Sequence, residues 1–297
     1  MQQEAVLTTG SCLCGTVRWE ADAPFERMSH CHCAMCRKAH AAAFATYVIA
    51  PKAQFRWVAG SDSVTSHWSS PAFQRAFCSN CGSVVPGTEN GNMVEIPAGC
   101  LDDDPGIRPM RHIFAASKAP WYNISDNLPR VDAYPPGNDS PVIDWPDRRS
   151  KKPGILHGSC LCGAVEYEVS TPIRVTRNCH CSRCRKARAA AHTTNGFTET
   201  AGLTFTRGDE LVRNYKVPDA RTVTHSFCGK CGGGLPNQRS DRSFVAIPLG
   251  SLDDDPGVTA VDHIFTNDKA VWFDITDDLP QFPEGPDQPP AALFQDG

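Results

Sequence analysis

The sequence predicts a mainly β protein made of two tandem zinc-stapled domains, each with one short helix. Three observations carry this prediction. The 297-residue chain holds 15 cysteines, gathered in closely spaced blocks. The blocks recur in the same order at a nearly constant offset. And 23 glycines with 24 prolines favour turns and short strands over long helices.

The repeat sets the organisation. Gly158-Ser159-Cys160-Leu161-Cys162-Gly163 copies Gly10-Ser11-Cys12-Leu13-Cys14-Gly15, 148 positions on. Cys179-His180-Cys181-Ser182-Arg183-Cys184-Arg185-Lys186 copies Cys31-His32-Cys33-Ala34-Met35-Cys36-Arg37-Lys38 at the same offset. Phe227-Cys228-Gly229-Lys230-Cys231-Gly232 copies Phe77 to Gly82 at 150, and Leu252 to Gly257 copies Leu101 to Gly106 at 151. His263-Ile264-Phe265, Trp272 and Ile275-x-Asp277-x-Leu279-Pro280 complete the series. A slip of three residues over the unit is what surface-loop insertions leave behind. Domains are therefore expected at 8–133 and 156–284, with a Pro-rich, solvated linker at 134–155 and a Pro-rich tail at 285–297. The odd thiol is Cys100, whose counterpart is Ser251.

Within each copy the elements follow from local pattern. Period-two alternation after the Cys-x-Cys-Gly turn predicts strands at Thr16–Glu20 and Ala164–Val169. Leu203–Phe205, Leu211–Tyr215, Thr222–Phe227, Met93–Pro97 and Phe244–Pro248 read as further strands. The helices fall at Ala34–Ala43 and Ser182–Ala191, where alanine, arginine and lysine are strong helix formers. A core this small is marginal alone, and bound metal would supply missing stability.

Composition narrows the function. A net charge of −4 carries no basic footprint for nucleic acid. Met1–Val6 has neither a basic nor an apolar leader segment, and no apolar run reaches the roughly 18 residues of a membrane helix. The expected location is intracellular, in the cytoplasm, where clustered cysteines mean metal or catalysis more often than disulfides. Arg148-Arg149-Ser150-Lys151-Lys152 reads as solvated linker rather than an address.

Seven thiols per copy divide into four plus three. A structural zinc closes with four ligands, whereas a catalytic one keeps three and leaves a position open. Cys12 and Cys14 with Cys78 and Cys81 make one four-thiolate clamp, and Cys31, Cys33 and Cys36 can hold a second ion. Spacing alone also permits other partitions. His32 and His180 inside the triples are expected in supporting hydrogen bonds or in solvent. His112 and His263 are expected as satisfied, partly buried histidines, and Trp121 and Trp272 as core. Leu-Asp-Asp-Asp-Pro-Gly is expected as a turn with a solvated acidic rim.

The ordered string Gly-Ser-Cys-x-Cys-Gly, Cys-His-Cys-x-x-Cys-Arg-Lys, Phe-Cys-x-x-Cys-Gly, Gly-x-Leu-Asp and a final Trp resembles the glutathione-dependent formaldehyde-activating enzyme family, which includes centromere protein V. The resemblance covers both copies. It implies a β-tent fold with up to two zinc ions per domain. It implies structural zinc at Cys12, Cys14, Cys78, Cys81 and at Cys160, Cys162, Cys228, Cys231. It implies catalytic zinc at Cys31, Cys33, Cys36 and at Cys179, Cys181, Cys184. It further implies a carbon–sulfur lyase-type reaction joining or cleaving a glutathione-like thiol and a small carbonyl such as formaldehyde. The charge and the lack of an apolar span leave no nucleic-acid or membrane partner expected. Arg37, Lys38, Arg185 and Lys186 are expected to meet the carboxylates of that thiol. Two alternatives stay open: an enzyme acting on another thiol adduct with one copy inactive, and a non-enzymatic zinc module for protein binding. His192 stands where the first copy has Phe44, and Asn178 where it has His30, so the two sites are expected to be unequal.

Overall fold

The computed structural model describes residues 7–71, 73–88, 91–138, 140–150, 152–218, 220, 224–237, 241–286 and 294. The N-terminal segment judged for a leader, Thr222 of one expected strand and most of the tail lie outside them.

Each half is built from three small sheets. The first is antiparallel, Leu7–Ser11, Arg18–Asp22 and Phe55–Ala59 in one half, and Leu156–Ser159, Glu166–Val169 and Leu203–Arg207 in the other. The second has Arg27–Cys31 and Ala45–Pro51 at its centre, flanked by Met93–Pro97 and, in parallel, by His112–Ile113. Its copy centres on Val175–Cys179 and Thr193–Glu199 and gains an edge strand, Gln281–Phe282. The third hangs on Phe73–Cys78 or Thr224–Cys228, which carry the start of each Cys-x-x-Cys knuckle. The mainly β prediction therefore holds, with two short α-helices, α1 at Ala34–His40 and α2 at Ser182–Arg188.

Both helices stop three residues short of the sequence expectation. Ala41 and Ala189 adopt left-handed backbone at φ 45° and 51°, and their N–H groups bond back to Arg37 and to Arg185 and Lys186. The reason is tertiary. Gly99 and Gly250, each in a 3₁₀ turn, press against the far half's Ala189–Ala190 and Ala41–Ala42, so close that a Cβ on either glycine would collide with backbone. The polyalanine after each helix is thus a contact surface, and α-helix is traded for fit.

One apolar cluster runs through both halves, from Trp19, Met28 and Ile96 to Tyr167, Ile247 and Trp272. Trp121 and Trp272 are buried within it. Phe77 meets Phe227 edge-on at 6.4 Å across the junction. The segment between the halves is only partly solvated. Trp145 packs on the core, the Arg148 guanidinium lies 5.0 Å over its ring, and Arg148 reaches the carbonyls of Cys160 and Leu161.

The acidic turn of the first half is the expected solvated rim, with Asp102, Asp103 and Asp104 exposed, and the second departs from it at Asp253. Asp253 is buried and pairs with Lys38 at 2.7 Å, and Asp102 pairs with Lys186. Each lysine leaves its own helix to pin the opposite half.

No helix among the described residues is long and apolar enough to cross a membrane.

Candidate metal centres

The chain brings its cysteines together in four groups, and in each the sulfurs lie within 4.8 Å of one another. Cys12, Cys14, Cys78 and Cys81 form one, and Cys160, Cys162, Cys228 and Cys231 its copy. Cys31, Cys33 and Cys36 form a third, and Cys179, Cys181 and Cys184 the fourth. All 15 cysteines are free thiols.

The donor sets suit zinc. A tetrahedron with Zn–S of about 2.3 Å puts its sulfurs about 3.8 Å apart. Here Cys12 and Cys14 are 3.4 Å apart, Cys14 and Cys78 3.8 Å, Cys31 and Cys33 3.6 Å, and Cys160 and Cys162 3.5 Å. These spacings exceed a disulfide bond. Packed thiols also drive one another apart in acidity. Hydrogen bonding with Cys12 holds Cys14 far below its ordinary value, while Cys12 is pushed far above. A buried cluster obliged to carry thiolate calls for a cation.

Backbone aids the pre-organisation. Val17 N–H donates to Cys12 Sγ at 3.3 Å, as Val165 does to Cys160. Cys33 and Cys181 sit at the helix N-caps and accept from the N–H of Cys36 and Cys184 at 3.4 Å. The two residues after Cys33 begin α1, so one local stretch sets all three sulfurs of the triple.

Around the triples lie residues that the sequence reading did not single out. Arg75 donates to Cys36 Sγ at 3.4 Å and to the Tyr47 hydroxyl at 3.2 Å. Burial would depress this guanidinium, but Cys36, Tyr47 and Cys33 outweigh that and raise its pKa. Tyr47 bonds His40 Nε2 at 2.7 Å, and His40 Nδ1 bonds the Arg188 carbonyl at 2.8 Å. Phe114 packs with Cys31 and Cys36, and its counterpart Phe265 follows Ile264, which pairs with Cys179; both have left-handed backbone, at φ 56° and 58°, which costs energy for a residue with a side chain. The available signal was the exchange of residue types between copies. His40 and Arg75 correspond to Arg188 and His225.

His32 and His180 lie inside the fold, not in solvent. His32 Nε2 meets His112 Nδ1 at 2.8 Å, and His112 Nε2 meets Asp126 at 2.9 Å. His180, His263 and Asp277 repeat the chain at 2.8 and 3.0 Å. Asp126 and Asp277 belong to the repeated Ile-x-Asp-x-Leu-Pro signature, which sequence alone left without a role. Burial lowers His32 to about 3 and His180 to about 2, so both are neutral at pH 7.

The four expected substrate cations separate into two kinds. Lys38 is 3 % exposed, and its ammonium donates to the Ser159 and Ser251 carbonyls at 3.1 and 2.6 Å besides pairing with Asp253. Burial, opposed by Asp253, lowers it to about 8. Lys186 bonds Ser11 and Asp102. Arg37 and Arg185 stay half-buried at the helix starts, donating to the carbonyls of His32 and Gly99 at 3.3 Å. Arg37 also lines a pocket of about 250 Å³ with Ala34, Trp145, Arg148 and Leu252.

Cys100 is fully buried, its thiol directed at the carbonyls of Val84 and Lys186, and burial pushes it up to about 12.

The family model described as "Glutathione-dependent formaldehyde-activating enzyme" matches residues 7–117 and 155–268. A protein of Halomonas elongata named "Putative glutathione-dependent formaldehyde-activating enzyme" is 28% identical over 127 residues, which are 41% of this chain and 81% of that protein. A crystal structure of a Rhodobacter sphaeroides protein, 28% identical, covers 35% of this chain and 98% of its own, with a TM-score of 0.29.

Proposed function

Because the chain belongs to the glutathione-dependent formaldehyde-activating enzyme family, we propose that it joins a glutathione-like thiol to a small carbonyl compound such as formaldehyde, or reverses that addition, at its three-cysteine clusters. The observation that supports this most is the contrast between cluster types. Each four-cysteine group supplies a full tetrahedral set, whereas each triple supplies three thiols and leaves a fourth position.

Cys31, Cys33 and Cys36, or Cys179, Cys181 and Cys184, would hold zinc, which would supply Lewis acidity favouring the thiolate form of an added thiol. The protein's own groups do the rest. Arg37 and Arg185, one residue beyond each triple, offer guanidinium to substrate carboxylates. Phe114 and Phe265 present apolar faces beside the sulfurs and limit water. The His–His–Asp chains hold the Cys-His-Cys backbone in place from behind. In the addition, the substrate sulfur forms a bond to the carbonyl carbon, the C=O π pair moves to oxygen, and the thiol proton ends on the new hydroxyl. No oxidant or reductant is needed.

The test is formaldehyde consumption by zinc-loaded protein with and without glutathione. Thiol-dependent turnover is expected in the parent, and at least a hundredfold loss in the Cys33→Ser/Cys181→Ser double variant, within the range that loss of a catalytic electrostatic group brings. Chelation of the metal should act likewise. Full zinc content with no thiol-dependent consumption would support the protein-binding alternative instead.

A further inference from the structure

We infer that the two open centres are unequal, with the second-half triple taking the thiol substrate and the first-half triple closed by its own side chains. This rests on the proposed thiol chemistry for its substrate, but not for its geometry.

The walls of the two triples differ at matched positions. The register of the central sheets pairs Tyr47 with Ser29 and Asn195 with Arg177, which makes Tyr47 and Asn195 equivalent. Arg75 faces His67 and His225 faces Tyr215, which makes those two equivalent. Phe114 N–H bonds the Ala133 carbonyl and Phe265 N–H that of Glu284, so Tyr134 corresponds to Gly285. The first half thus builds its wall from Tyr47, Arg75 and Tyr134, and the second from Asn195, His225 and Gly285.

Each large group in the first half points at the triple. Tyr134 packs on the cluster of Cys31, Cys36, Ala45 and Phe114, with its ring edge-on to Phe114 at 4.7 Å. Arg75 touches Cys36. In the second half, His225 turns away, its nitrogens bonded to the Cys81 carbonyl at 2.8 Å and to Arg188 at 3.0 Å. Among the described residues, a Cβ at Gly285 would meet only Phe265, at 3.7 Å. Two changes run the other way. Arg188 replaces His40 and lies buried within electrostatic reach of Cys184, but its guanidinium is turned to His225 at 3.0 Å. Arg177 replaces Ser29, but it is buried in an ion pair with Asp262 at 3.1 Å.

Exposure differs at the last cysteine and the phenylalanine, while Cys31 and Cys179 are both buried and Cys33 and Cys181 both partly exposed. Cys36 is 5 % and Phe114 8 % exposed, both buried, whereas Cys184 and Phe265 are only partly covered. The residue that decides access is the one at position 134 or 285. A tyrosine there closes the centre, and a glycine leaves an approach for a peptide thiol.

Two exchanged variants test this, Tyr134→Gly and Gly285→Tyr. Gly285 carries no left-handed backbone that would resist a side chain. The first readout is metal release from zinc-loaded protein to a chromophoric chelator. The parent should release one three-thiolate ion ahead of the other. Gly285→Tyr should slow the early phase about tenfold, a barrier change of about 1.4 kcal/mol, and Tyr134→Gly should speed the later one similarly. The second readout is the thiolate-to-metal absorption of cobalt-substituted protein titrated with glutathione. One centre per chain should respond in the parent, two in Tyr134→Gly and none in Gly285→Tyr. Release phases indifferent to both substitutions overturn the inference. Release that follows the prediction without any thiol response leaves the asymmetry standing and overturns the thiol reading.

Discussion

Arg75 illustrates how much one side chain can settle at these centres. Three thiolates on a divalent ion leave a net negative charge in a buried place, and a guanidinium 3.4 Å from Cys36 Sγ balances it. The Thr193 hydroxyl, a weaker and neutral donor, stands beside Cys184 in the other half. Hydrogen bonds to charged groups contribute about 1.5–3 kcal/mol. Replacing Arg75 by Met should therefore cost about 2 kcal/mol in the metal-loaded protein, read from the urea midpoint, and hasten metal loss from the first-half triple. An unchanged midpoint with unchanged metal retention would remove Arg75 from this role. His40 and Tyr47, linked to it in series, owe their placement to the same network.

At the scale of elements, each helix does two jobs. Its first turn fixes the cysteine triple, and its later residues dock on the opposite half. Lys38 is the strongest single link, since it spends its ammonium on Ser159, Ser251 and Asp253. Lys38→Met takes the ammonium from the buried Asp253 side chain, leaving it against the His157 ring at 3.1 Å and the more distant Arg37. Breaking a buried pair from one side costs about 3–5 kcal/mol. The double change Lys38→Met/Asp253→Leu should recover much of it, and denaturant unfolding of the two variants checks the difference. The local signals for these elements were good: strands, helix starts and knuckles all appear near their expected places. What local pattern missed was the helix ends. They are set by Gly99 and Gly250 closing on residues about ninety to two hundred positions away, a contact that propensity does not encode.

The whole molecule stores an acid-sensitive interface. His30, Phe44, Tyr122, His192 and Phe273 meet where the halves join, with Phe44 and His192 at 5.6 Å and His30 and Phe273 at 6.2 Å. Burial, and then the neighbouring His263, lowers His192 to about 3 against an ordinary value of 6.5. The folded form holds this ring neutral while the unfolded chain binds a proton. The stability it contributes is thus present above pH 6.5 and is lost as pH falls from there toward 3, by up to about 1.4 kcal/mol per pH unit. Burial lowers His40 in the same direction, to about 4. His192→Phe, which copies the first half, should flatten the fall in unfolding midpoint between pH 6.5 and 4 relative to the parent at equal metal loading. An equally steep fall in the variant would show that His192 carries none of it.

The sequence by itself determined the duplication and the cysteine blocks that supply the ligands, while spacing left their grouping open. It could do so because the ligand blocks are local. A Cys-x-Cys, a Cys-x-Cys-x-x-Cys and a Cys-x-x-Cys-Gly turn each orient their sulfurs within a few residues, and repetition marks them as designed. Composition and period-two patterning were likewise enough for a mainly β class. Only the tertiary structure decided that the halves share one core, that two lysines expected at the substrate bond across the junction, and that Tyr134 covers one triple where Gly285 leaves the other open. Those outcomes depend on side chains brought together from far along the chain, where burial rather than spacing assigns the role. A lysine reads the same in sequence whether it meets a solute or an aspartate in the opposite half.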